Sequence, residues 1–245
     1  MKKAFTLAEV LVTLGIIGVV VALTLPAVIA NYRKKEYVSI LKQSYSVLGQ
    51  ALVKNQADYG DFSEWGLGGI YGQNSSTVDA SKVIPMFMDS YLKPNLNIVQ
   101  DYGWKTREKI GYDGPYRPST HTITGGNLGY WFVLSNGALV KATIGDGCVQ
   151  TDKDGNCIAR EYRNIIFMID VNGFKNPNVI GKDVFLMALE LKTNIFTMHR
   201  YSTHVSRNNA LKSCQSDEDS QTCGNLIMMD GWMGNKKGLS LVIDS

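Results

Sequence analysis

Residues 5–30 form an apolar run that carries a single charged residue, Glu9, and Lys2 and Lys3 precede it. Drawn as a helix, the run is roughly 39 Å long, more than the about 30 Å hydrocarbon core of a bilayer. A core helix of that length in a soluble protein would show a polar face, and this one shows none. Pro26 removes a backbone donor and is expected to kink or loosen it. Gly15, Gly18 and Ala22 would let neighbouring helices approach closely. Beyond the run the pattern turns amphipathic. Val38, Leu41, Tyr45, Leu48 and Leu52 recur at steps of three and four, one stripe on a continuing helix over 31–57. Lys34, Lys35, Lys42, Gln43, Gln50 and Lys54 take the other face, and Asp58-Tyr59-Gly60 is a stop signal.

The rest of the chain, 58–245, reads as one globular head. Residues 60–128 carry little periodicity. The glycine-rich stretch at 66–72 misses G-x-G-x-x-G because Tyr71 stands at the last glycine, so it reads as a loop. A short helix is expected over 81–92, closed by Pro94, with Pro85 awkwardly inside. From Tyr130 the pattern is strand-like. Segments 130–134 and 138–144 flank Ser135-Asn136-Gly137, a hairpin signal. Segment 165–171 is an apolar β run, and 184–191 with 194–199 suggests a further pair. The expected fold is α+β, a long N-terminal hydrophobic helix packed on an antiparallel β-sheet head.

Composition narrows the function. Apolar residues make up 44% and charged residues 19% of the 245, which excludes a disordered chain. Lys and Arg number 25 against 22 Asp and Glu, with no basic stripe, so a nucleic-acid partner is not expected. The three histidines, His121, His199 and His204, make no metalloprotease pattern, and no nucleophile elbow or P-loop occurs. No enzyme, cofactor or metal is read from these residues. Asp152, Asp154 and Asn156 start like a calcium loop, but Cys157 replaces its turn glycine and Arg163 its bidentate glutamate. The cysteines fall into two pairs nine apart, Cys148/Cys157 and Cys214/Cys223. Three connectivities are open, local closure being the simplest, and neither spacing is a short zinc-type one.

A secretory signal peptide would use Lys2-Lys3 as its basic region and Val28-Ile29-Ala30 as its cleavage site. The apolar run exceeds the roughly 7–15 residues of such a signal, and Glu9 sits near its start. Instead, Lys3-Ala4-Phe5-Thr6-Leu7-Ala8-Glu9, opening the hydrophobic run to Pro26, resembles the cleavage and methylation motif of type IV prepilins and type II secretion pseudopilins. That family usually has Gly where Ala4 stands. Segments 170–173, 181–185 and 223–232 look like stretches common in pilin-like proteins, more loosely.

The resemblance implies a leader, 1–4, cut between Ala4 and Phe5 by a prepilin peptidase, with N-methylation of Phe5. It implies a single-pass precursor in the inner membrane, its helix in membrane lipid and its head extracytoplasmic. The subunit then enters a periplasmic or cell-surface filament. Partners would be other pilin or pseudopilin subunits, a platform membrane protein and an assembly ATPase. Glu9 would face the Phe5 amine of a neighbour and set register. Arg33-Lys34-Lys35 outnumber Lys2-Lys3, so the positive-inside count alone would place the head in the cytoplasm; the resemblance places it outside. Export would favour disulfides. Some secretion pseudopilins bind calcium in a strand-connecting loop. The stretch with Asp170, Asn172, Asn176, Asn178 and Asp183 therefore has two readings, a calcium loop or polar turns bonding their own backbone. The rival function is a membrane-anchored binding protein, adhesin or hydrolase that never polymerises.

Overall fold

The computed structural model describes residues 6–62, 65, 78–116, 126–198, 205–216 and 220–233, with the backbone alone at 146–149, 157 and 160. One helix, α1 (Leu7–Tyr59), carries both the apolar run and the amphipathic continuation. It starts at Thr6 with a capping box and stops at Gly60, whose φ of 77° suits a residue without Cβ. α1 is continuous across Pro26, so the ring removes one backbone hydrogen bond without ending the helix.

The docked face of α1 is Val38, Leu41, Ser44, Leu48, Ala51, Leu52 and Asn55, with Lys34 at its start. Ser44 takes the buried place that the stripe assigns to Tyr45. Tyr45 is half-buried and stacks on Phe196, centroids 5.2 Å apart. The polar pair in this face is satisfied. The Asn136 side chain donates to Ser44 Oγ at 3.0 Å, and Asn55 Nδ2 donates to the Ala51 and Tyr91 carbonyls at 2.8 and 2.7 Å.

Next come α2 (Ala80–Phe87), a wide turn at Met88–Leu92 and a tight one at Lys93–Asn95. Pro85 has no N–H to give the preceding turn, and the helix passes into a π-type turn at Met88, three residues on. Then follow β1 (Ile98–Thr106), the single turn α3 (Arg107–Ile110), β2 (Leu128–Leu134), β3 (Leu139–Thr151), β4 (Cys157–Asp170), β5 (Val184–Glu190) and β6 (Ile195–Thr197). All six strands pair antiparallel with their sequence neighbours, an unbroken meander. Among the described residues two short helices follow the sheet, α4 (Arg207–Gln215) and α5 (Cys223–Met229).

Strand alternation divides the sheet into two buried faces. Tyr130, Phe132, Val140, Ala142, Phe167, Ile169, Met187 and Leu189 meet α1, α2, α4 and α5 in the main core. Trp131, Leu139, Ile166, Met168, Val184 and Leu186 form a second layer under Tyr112 and Ile180. The fold is α+β as expected. β1 lies in the stretch whose fold the pattern left open, and one expectation needs correction: β4 begins at Cys157, well before 165. The glycine-rich stretch at 66–72 and the three histidines lie outside the described residues.

Candidate functional site

The N-terminal half of α1 stands clear of the head. Every described residue from Thr6 to Arg33 is exposed, including Leu11, Leu14, Ile17, Val20, Leu23 and Ile29. This helix is long and apolar enough to cross a membrane, with none of its most apolar window buried. A bare apolar rod is unstable in water. Its two interior hydroxyls are turned inward on the helix. Thr13 Oγ1 donates to the Val10 carbonyl and Thr24 Oγ1 to the Val20 carbonyl, each at 2.9 Å. Such back-bonding removes the need for water at both positions.

Glu9 is the one charged side chain on the rod below Arg33. Its Oε2 accepts from the Thr6 N–H and from Thr6 Oγ1, both at 2.8 Å, while Thr6 Oγ1 accepts from the Glu9 N–H at 3.3 Å. The carboxylate therefore sits at the helix N-terminus, where free N–H groups favour a negative charge. Thr6 as its partner in the same chain is a feature the motif alone did not reveal, although Thr followed three residues later by Glu is a capping-box signature. Ala4 and Phe5 lie outside the described residues.

A family of unknown function, DUF6613, matches residues 27–114. The match begins just past Pro26 and takes in the docked part of α1, α2, β1 and α3, well under half of the chain. No curated protein and no solved structure matches.

Within the head, the 170–183 connection is a buried polar clasp, in which the side-chain oxygens of Asn172 and Asn178 have no hydrogen-bond partner among the described residues. Asp183 accepts from the Asn178 N–H at 2.9 Å, the Val179 N–H at 2.6 Å and Asn172 Nδ2 at 2.9 Å. Asp170 accepts from the Tyr112 hydroxyl at 2.7 Å and the Asn172 N–H at 3.2 Å. Asn172 also donates to the Tyr37 hydroxyl at 3.1 Å, which ties this loop to α1. Both carboxylates are fully buried. Burial and then mutual repulsion push Asp170 well above the usual carboxylate range, and burial pushes Asp183 up against the pull of its backbone donors. Burial followed by the Asp170 charge raises Tyr112, so it stays a donor. Within this stretch, the Asp183 carboxylate bonds turn backbone at Asn178 and Val179, while Asp170 and Asn172 bond side chains from outside it, those of Tyr112 and Tyr37. Among the described residues no three His, Cys, Asp or Glu side chains come together as a metal site.

The second calcium-like stretch is a hairpin end. Asp152 Oδ1 accepts from the N–H groups of Asp154 and Asn156 at 2.9 and 2.8 Å, and Gly155 takes φ 83°. Cys214 and Cys223 are disulfide-bonded, linking α4 to α5 by local closure. Arg207 adds a two-pronged pair to the buried Asp230, at 2.8 and 2.9 Å. The side chains of Cys148 and Cys157 lie outside the described atoms.

Proposed function

We propose that this chain is a structural subunit, a pilin or pseudopilin, of a type IV pilus-like or type II secretion-like filament. It is made as a single-pass inner-membrane precursor with its head extracytoplasmic. A prepilin peptidase cuts it between Ala4 and Phe5, and Phe5 is N-methylated. The observation that carries this reading is the bare apolar half of α1, which needs a lipid or protein cover that its own head does not supply. Lipid covers it in the precursor, and rods of other subunits cover it in the filament.

The N-terminal motif supports the same reading. In the single chain Glu9 is capped by Thr6. In a bundle the same oxygens meet the Phe5 amine of a neighbour. A buried pair of this kind adds little net stability, yet leaving one member alone costs about 3–5 kcal/mol. It therefore selects one axial register among apolar rods that would otherwise slide.

The test is mass spectrometry of the mature N-terminus from membranes and sheared surface material. The expected chain begins at N-methylated Phe5. A chain beginning at Asn31 would instead establish ordinary secretion and remove the filament reading.

A further inference from the structure

Just where α1 leaves its apolar stretch, two grooves of the head open on either side of it. One, about 440 Å³, is lined by Arg33, Glu36 and Tyr37 of α1 and by Asn172, Lys175 and Asn176 of the β4–β5 connection. The other, about 690 Å³, is lined by Asn31, Lys34, Lys35 and Lys42 of α1 and by Trp232 and Met233 beyond α5. Arg33, Lys35, Lys42 and Lys175 are exposed and make no hydrogen bond or ion pair among the described residues. Glu36 is the carboxylate that shares their surface.

Position gives this collar its meaning. Arg33 to Lys35 lie about 4.5–7.5 Å along the helix axis past Ala30, and the headgroup layer on one side of a bilayer is about 5–8 Å thick. Exposed apolar groups stand with the cations. Tyr32 precedes Arg33, Phe174 precedes Lys175, and Met233 is in the second groove. Cations with aromatic and apolar neighbours at that depth are the composition of a membrane-interface surface. The first groove is also held in shape. Asn172 bonds Tyr37 across it, and the same amide is anchored on buried Asp183.

We propose that this collar binds the phosphate of anionic phospholipid headgroups, with Arg33, Lys35 and Lys175 as its principal cations. The proposal rests on α1 entering a bilayer, which the proposed function also requires. It accounts for a basic cluster on the head side of the apolar run. Anionic lipid there compensates charge that the positive-inside tendency would otherwise place on the opposite side.

The test uses the full chain in mild detergent micelles, titrated with phosphatidylglycerol or phosphatidylcholine, with retained lipid counted by native mass spectrometry. Wild type is expected to hold phosphatidylglycerol in preference to phosphatidylcholine. Loss of one interfacial cation weakens anionic-lipid binding by about fivefold, so R33Q/K35Q/K175Q should lose on the order of a hundredfold. The charge-keeping R33K/K175R should retain binding, and K54Q, far up the helix, should leave it unchanged. Equal retention of the two lipids, or an unaffected triple variant, overturns the proposal. So does displacement of phosphatidylglycerol by equimolar inorganic phosphate, which would make this a free-phosphate site. Carbonate extraction of the chain from phosphatidylglycerol vesicles separates the two claims. A chain that washes off overturns both. A chain that stays and binds the lipid, but is never cut after Ala4, supports the collar and overturns only the filament reading.

Discussion

Asp170 and Asp183 place two carboxylates in the same buried clasp, and one consequence is a stability that depends on pH. The folded-state value of Asp170 lies above its ordinary one, because burial and the Asp183 charge both disfavour ionisation. A group raised in this way stabilises the fold fully below its unfolded value. That contribution is lost as pH rises through the folded value. Asp170→Asn mimics the uncharged form and can still accept from Tyr112 or the Asn172 N–H. Thermal melts of wild type and Asp170→Asn from acidic to neutral pH should show the wild-type midpoint falling relative to the variant as pH rises. Parallel curves would mean that Asp170 titrates alike in the folded and unfolded chains. Neither carboxylate's role was legible in the sequence. Asp and Asn between strands announce a turn, but the Tyr112 and Tyr37 partners come from 58 and 135 residues away.

Among the elements, α4 and α5 are small and lean on their cross-links. The Cys214–Cys223 bridge closes a short loop, and in the chain-entropy picture such a loop contributes about 2–3 kcal/mol. C214S/C223S should lower the unfolding free energy by that order and so shift the denaturant midpoint down by that amount divided by the slope, read by tryptophan fluorescence, and a midpoint that does not move would assign the work to Arg207–Asp230. Local closure at this pair was legible from spacing. So was α1, since an apolar run and a three-and-four stripe are both helical patterns, and so was the β2–β3 hairpin, announced by Asn136-Gly137. β1 was not. It is an edge strand with two register shifts and mostly exposed or half-buried side chains, so no alternation marks it. Ser44 and Asn55 also defeat pattern reading, because a polar residue in a buried stripe makes sense only once Asn136, Tyr91 and Asn95 are placed beside it.

At the scale of the whole molecule, the rod and the head make opposite demands on solvent, and Glu9 is the charged exception near the rod's tip. Glu9→Ala should leave membrane insertion intact or ease it, since a carboxylate in the membrane costs roughly 2.5–3.5 kcal/mol. Cleavage at Ala4–Phe5 should persist. Incorporation into sheared filaments should fall severely, because each subunit would bury an amine without its partner. The comparison is membrane-fraction level, leader removal and filament content for both forms; normal assembly of a processed variant would show that Glu9 does not set register. The continuity of α1 has a mechanical consequence as well. Rod and docking stripe share one unbroken backbone from Leu7 to Tyr59, and the stripe from Val38 to Asn55 lies lengthwise on the head. Tension applied to the rod reaches the head along the helix axis and loads that stripe in shear, with Leu41, Leu48 and Leu52 strained together and no single end peeled first. Under a pull, the lifetime of the join is set by the barrier to unfolding and not by equilibrium stability. The head is thus attached in a geometry that shares load along the whole docked stripe.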